Sequence, residues 1–201
     1  MTLDEYQQAT LFLGDNVINE RNPMANLALA LNEYQAGAKG TAIYPLPVNY
    51  PTLGIAGEAC ELLVKVSLGA EPDEVIKEVG DVLWYTANVA ADLGFSLSDV
   101  AGVDYFADLP GYPAANSVEA MLLEGVGEVC ETVKKAIRDN QGVFDEPRLA
   151  KVKNGLHVIV NSLKELCFEY DTTLEDAAQR NLEKLRSRQQ RGVLQGSGDN
   201  R

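Results

Sequence analysis

The amino-acid sequence predicts an all-α protein, a helical bundle, and three features favour that fold. Apolar residues recur at helical spacing over most of the 201 residues, with capping residues and glycines at the ends of the periodic segments. The alternation of apolar and polar residues that is typical of strands extends over no convincing length. One helix pair recurs later in the chain, so we expect a tandem-duplicated helix pair that folds as a pseudo-dimer.

The N-terminal half of the chain predicts four helices. Thr2 and Glu5 form a capping box that opens the first helix. Polar residues at 16–23 interrupt the pattern, and glycines and prolines between residues 37 and 51 predict an irregular loop. The role of the segment 15–49 stays open. The predicted helices span residues 3–13, 24–35, 52–68 and 73–93.

The C-terminal half predicts three more helices, at residues 118–138, 147–170 and 174–190. The segment 102–117 carries glycine, proline and aromatic residues without a period, so we interpret it as a linker, and the glycine-rich end is not expected to be helical. We expect one domain over residues 1–201. Its parts are an intact metal-binding repeat (52–101), the linker (102–117), a degenerate repeat (118–178) and a basic helix end with a tail (179–201).

Composition and charge limit the possible partners. The chain has 17 basic and 30 acidic residues, a net charge of −13, which argues against binding to nucleic acid or to an anionic membrane. No apolar run could span a bilayer and no signal peptide is visible. Three cysteines without paired zinc-type spacing indicate reduced core residues. We therefore expect a cytoplasmic protein, in the host cytoplasm if it is phage-encoded.

An internal repeat relates two parts of the chain. Five residues of the first unit recur at one constant spacing, and a further set, including Asn88 and Asn161, recurs downstream at a slightly larger spacing. Where the first unit has Glu78 and Asp81, the second has Lys151 and Asn154. We therefore expect one metal site per chain. The five pairs are Gly57/Gly127, Glu58/Glu128, Cys60/Cys130, Glu61/Glu131 and Lys65/Lys135.

Four acidic residues form the candidate metal site. Glu58 and Glu61 are three residues apart and so project from one face of a helix, and Glu78 and Asp81 repeat this arrangement on the next helix. If the two helices form a hairpin, the four carboxylates converge, and their repulsion requires cations or bound protons. Oxygen ligands alone favour a hard ion, Mg2+, with Mn2+ as a substitute.

A di-iron centre is excluded by the lack of histidine ligands. Such bundles use Glu-x-x-His pairs, whereas the single histidine, His157, follows Asn154 by three residues. His157 also matches Trp84 of the first repeat, which favours a core or interface role.

The motif E-x-x-E, followed one helix later by E-x-x-D-V-L-W, resembles the MazG-like nucleoside triphosphate pyrophosphohydrolases. These belong to the all-α NTP pyrophosphatase group and are related to the dimeric dUTPases. The resemblance is carried by YPTLGIAGEACELLVKV and EVIKEVGDVLWYTANVAADLGFSLSDVA, and the tail NLEKLRSRQQRGVLQGSGDNR looks like that of phage-type members. The tail here follows the degenerate repeat, whereas simple members carry it directly after the helix with E-x-x-D.

The resemblance implies a role for each matching residue. It makes Glu58, Glu61, Glu78 and Asp81 the metal ligands, with Glu58 or Glu61 also acting on the attacking water. It implies further contacts to the phosphates, sugar or base of the substrate, which would come from Lys65, Asn88, Lys184, Arg188, Arg191, Asp199, Asn200 and Arg201.

The expected function is magnesium-dependent hydrolysis of a (deoxy)nucleoside triphosphate to the monophosphate and pyrophosphate. The preferred base, the phosphorus attacked and the choice between Glu58 and Glu61 as base are left open by the sequence. A non-catalytic nucleotide-binding or regulatory module is the first alternative, because duplication with decay often accompanies loss of activity. A purely structural bundle is the second. A monomer and a homo-oligomer are both compatible with the sequence.

Overall fold

The all-α prediction is confirmed by the computed structural model, which describes residues 23–102 and 117–195, with side chains from residue 30 onward. Within those ranges the chain forms helices and turns and contains no strand. The predicted helix at 3–13 and most of the predicted linker lie outside the described residues. The helices are α1 (Pro23–Gly40), α2 (Asn49–Ser67), α3 (Pro72–Asp92), α4 (Leu97–Ala101), α5 (Val118–Asn140), α6 (Glu146–Glu169) and α7 (Leu174–Gln190).

Local sequence explains where most of these helices begin. Four of them start after a residue whose side chain accepts a hydrogen bond from the backbone N–H three positions on, which satisfies a donor that the helix itself leaves open. α3 instead begins with Pro72, and Asp73 and Glu74 lie at its positive end. The four capping residues are Ser96, Ser117, Asp145 and Thr173.

Two helical hairpins, α2–α3 and α5–α6, pack side by side. α5 contacts α2, α6 contacts α3, and α1 and α7 lie against α3. Their apolar faces meet in one core cluster, in which Ile55, Leu62, Leu83, Leu156 and Ile159 are fully buried. None of the described helices is both long and apolar enough to cross a membrane. That the hairpins arose by duplication remains a prediction from the sequence.

The main differences from the predicted helices are two boundaries and one additional helix. α1 continues through Gly37 to Gly40, and a side chain at Gly37 would meet Leu182 at 3.0 Å, so this glycine permits close packing against α7 rather than a turn. α2 begins at Asn49, because Pro51 is tolerated in a first helical turn. The five-residue α4 was not predicted, since it is too short to show a period.

Candidate active site

The α2–α3 hairpin brings three of the four predicted acids together. Glu58 from α2 and Glu78 and Asp81 from α3 each offer a carboxylate oxygen, and these oxygens lie within 4.8 Å of one another. Within the ranges that the structure describes, no other group of metal-ligating side chains is this close. Glu61 lies outside this trio and is exposed, although it lines the same pocket.

The acidic trio is crowded and partly dry. Glu78 is buried and Glu58 is half-buried between the two helices. Burial, together with the negative charges of Asp81, Glu78 and Glu61, raises the pKa of Glu58 to about 7. The trio therefore resists carrying its full negative charge unless a cation balances it.

Two lysines contact the trio from opposite sides. The Nζ of Lys65 lies 2.5 Å from Glu78 Oε1, and it also lies 3.3 Å from Glu74. The Nζ of Lys184 lies 2.6 Å from each carboxylate oxygen of Asp81. The resemblance implies substrate contacts for both lysines, and the structure brings both to the acids themselves.

α7 supplies a further contact, which the sequence analysis missed. The side chain of Asn181 donates to Asp81 Oδ1 at 2.7 Å, and Tyr34 donates to the Oδ1 of Asn181 at 3.1 Å. α7 comes this close because α3 has Gly80 at the crossing, where a Cβ would meet the Cβ of Asn181 at 2.9 Å. Helical spacing puts Asn181 and Lys184 on one face, but nothing local in the sequence indicates which helix that face meets.

A pocket of about 790 Å³ opens beside the acids, with aromatic rings on one side. Tyr44 stacks on Tyr50 at 5.2 Å between ring centroids, and Trp84 meets Tyr85 edge-on at 4.8 Å. The ring of Tyr85 takes the space beside Gly54, where a Cβ would lie 2.2 Å from it. The rings give the pocket an apolar wall next to its charged end, an arrangement that the predicted loop over 37–51 did not reveal.

The loop before α2 is fixed to α3 through Asp92. The Oδ2 of Asp92 accepts from the backbone N–H of Val48 at 2.8 Å and lies 3.0 Å from the Tyr44 hydroxyl, and Lys39 pairs with the other oxygen. Val48 has a φ of 61°, an uncommon backbone conformation for a β-branched residue. Asp92 thereby holds a strained turn and keeps Tyr44 in the pocket wall.

Asn88 does not line the pocket, although a substrate contact was predicted for it. It is fully buried, its amide donates to the Trp84 carbonyl at 2.9 Å, and its Oδ1 lies 3.1 Å from the Tyr44 hydroxyl. It lies two turns along α3 from Asp81 on nearly the same side of the helix, but its amide is engaged by Trp84 and Tyr44 rather than open to the pocket. Asn88 contacts the pocket wall through Tyr44 and Trp84, both of which line it.

The basic end of α7 reaches the pocket in part. Arg188 is buried and lines it, together with Leu194 and Gln195 beyond the helix, which the sequence analysis did not single out. Arg191 is exposed, and its Nε donates to the Ser187 carbonyl at 3.3 Å. Asp199, Asn200 and Arg201, for which the resemblance also implies substrate contacts, lie outside the described residues.

The second hairpin carries a different set of contacts at the matching positions. Asn154 donates to Glu128 Oε2 at 2.7 Å, so the partners that correspond to Glu58 and Asp81 form a hydrogen bond rather than repelling each other. Glu131 pairs with Lys134 and Lys135. Glu128, Glu131, Lys135 and Lys151 line a smaller pocket of about 380 Å³. Acidic and basic side chains alternate in its lining, so its carboxylates lie among positive charges of the chain itself.

One comparison with known proteins identifies a relative. The Gene 37 protein of Mycobacterium phage L5 is 37% identical to this chain over 98 residues, which are 46% of this chain and 86% of the phage protein. No protein-family model matches the chain. No solved structure matches it either. The name of the phage protein describes no activity, so the similarity establishes kinship and the chemistry rests on the site.

Proposed function

Because the chain belongs to the same protein family as the Gene 37 protein of Mycobacterium phage L5, we propose that it is a phage-type enzyme of nucleotide metabolism. It hydrolyses a (deoxy)nucleoside triphosphate to the monophosphate and pyrophosphate, as the MazG-like enzymes that it resembles do. The observation that carries this proposal is the trio of carboxylates, with oxygens within 4.8 Å, at the charged end of a pocket with an aromatic wall. Its substrates are (deoxy)nucleoside triphosphates of the infected cell.

The donor set fits magnesium, with manganese as a substitute. Glu58, Glu78 and Asp81 offer only oxygen, which hard divalent ions prefer. The raised pKa of Glu58 supports the assignment, because a cation among these oxygens would relieve the repulsion that raises it. A metal held by these three residues would supply a water of lowered pKa and would neutralise charge on the phosphoryl oxygens.

Side chains around the pocket would bind the base and the phosphates of the substrate. The aromatic wall offers faces on which a base can stack, while the polar tips of Tyr44 and Trp84 are already hydrogen-bonded to Asp92 and Thr41. Base recognition in this pocket therefore depends on shape more than on hydrogen bonds. Arg188 also lines the pocket, where its guanidinium would contact phosphate.

We propose that Glu61 accepts the proton of the attacking water. This residue lines the pocket one turn along α2 from Glu58, yet it lies outside the close trio and is more exposed than its neighbours. A carboxylate that is not needed to hold the metal is available to orient or deprotonate water. Glu58 then serves mainly as a ligand.

The test is hydrolysis of a panel of canonical and modified (deoxy)nucleoside triphosphates with magnesium, with products identified by chromatography. We expect monophosphate and pyrophosphate from the wild type, and no turnover from Glu78→Gln or Glu61→Gln. Glu131→Gln is the matched control, since it changes the corresponding acid of the second hairpin, and it should retain full activity. Binding without turnover would instead make the protein a nucleotide-binding module, and diphosphate with orthophosphate would contradict the proposed cleavage.

A further inference from the structure

The two lysines at the acidic trio occupy the oxygens that a metal would need. Both oxygens of Asp81 lie 2.6 Å from the Nζ of Lys184, and Oδ1 also accepts from Asn181. Glu78 Oε1 lies 2.5 Å from the Nζ of Lys65. The ammonium groups therefore already neutralise two of the three carboxylates.

An ammonium and a divalent ion cannot share these oxygens at low cost. Two cations bound to one carboxylate oxygen would lie within about 4 Å of each other and repel. Asp81 has no oxygen away from Lys184, so it can become a ligand only if that lysine moves. Lys65 poses the same obstacle at one oxygen of Glu78.

Both lysines have room to move. The side chain of Lys65 is 25% exposed and that of Lys184 is 21% exposed, and each ammonium group is carried on a flexible four-carbon chain. Lys65 lines the pocket, and Lys184 reaches its wall at Asp81. A triphosphate in this pocket would offer both of them a stronger anion than the carboxylates that they hold.

We propose that Lys65 and Lys184 are exchangeable counter-ions, which hold Glu78 and Asp81 until magnesium takes their place and then turn onto the triphosphate. This inference rests on the proposed function, and it adds that metal and nucleotide bind cooperatively. Nucleotide draws the lysines away from the metal ligands, so each ligand raises the affinity for the other. The site then resists binding metal without substrate.

Manganese affinity of the nucleotide-free protein, measured from the EPR signal of free Mn2+, tests the exchange without relying on turnover. We expect Lys184→Met to bind Mn2+ about two- to fivefold more tightly than the wild type, which is the worth of one partly exposed ion pair. With saturating Mn2+ the same variant should bind α,β-methylene-ATP at least about tenfold more weakly, as expected for a lost charged phosphate contact. If Lys184 had only a structural role, its replacement would weaken the affinities for both Mn2+ and nucleotide. A gain in Mn2+ affinity together with a loss in nucleotide affinity therefore identifies the exchange.

Two further variants complete the experiment. Lys77→Met removes the same charge from an exposed pair with Glu74 and should change neither affinity. Lys65→Met should likewise bind Mn2+ more tightly and nucleotide more weakly than the wild type. If Lys184→Met does not fold, Lys65→Met provides the test of the exchange. Unchanged or weaker Mn2+ binding in a variant, alongside a wild type that binds Mn2+ and hydrolyses nucleotide, overturns the exchange alone. A wild type that neither binds Mn2+ nor hydrolyses nucleotide overturns the proposed function together with the exchange.

Discussion

Replacing Glu58 with glutamine should stabilise the metal-free protein at alkaline pH. Burial and the charges of Asp81, Glu78 and Glu61 raise the pKa of Glu58 from 4.5 to about 7 in the folded chain. The folded state thus binds a proton more tightly than the unfolded state. The stability that this tighter proton binding contributes is complete below pH 4.5 and is lost as the pH rises through about 7.

The size of this effect follows from the shift. For a fully buried group, a change of this size would be worth about 3 kcal/mol. Glu58 is only half-buried, so screening by solvent reduces the expected value to about 1 kcal/mol. The Glu58→Gln variant has no charge to desolvate and should therefore lack this loss of stability above pH 7.

Urea unfolding of EDTA-treated protein at pH 5 and pH 8.5 measures the difference. Between these pH values we expect the free energy of unfolding of the wild type to fall by about 1 kcal/mol relative to that of Glu58→Gln. Magnesium should restore the free energy of unfolding of the wild type but not change that of the variant. Glu128→Gln, at the matching position of the second hairpin, serves as the control and should not gain stability at pH 8.5. If Glu58→Gln is instead destabilised at pH 8.5, with an unchanged pH dependence, the crowding of charge at this site is refuted.

Two glycines give further predictions. Gly80→Ala places a Cβ 2.9 Å from Asn181, so it should cost about 1–3 kcal/mol in urea unfolding and reduce hydrolysis by separating α7 from α3. Gly57→Ala, in a helix with nothing within 4 Å, should be neutral or stabilise by about 0.5–1 kcal/mol, and a loss there would contradict the packing argument. Gly54→Ala would lie 2.2 Å from the ring of Tyr85, so it should raise the KM for nucleotide, and an unchanged KM would remove Tyr85 from the pocket wall.

Helical periodicity predicted most of the fold because the long helices bury one face each. It failed where tertiary packing overrides local preference. Gly37 and Gly40 suggested a loop, but the helix continues because Gly37 lets Leu182 of α7 approach. The short α4 depends on the cap at Ser96 rather than on any period.

The acidic half of the site was accessible to the sequence because E-x-x-E and E-x-x-D place carboxylates one turn apart on consecutive helices. The remaining half was not, since it comes from distant segments. Asn181 and Lys184 reach Asp81 only through the crossing of α7 over α3 at Gly80. Tyr44 joins the pocket through Asp92, a contact that no local pattern predicts.

The account depends most on the acidic trio acting as a binding site for a hard divalent ion. Anomalous diffraction from crystals soaked in MnCl2 together with α,β-methylene-ATP tests this most directly. We expect a single strong peak among the carboxylates of Glu58, Glu78 and Asp81, with the lysine ammonium groups moved away from them. Clean diffraction with no peak there, and with Lys65 and Lys184 still bound to Glu78 and Asp81, would contradict the account.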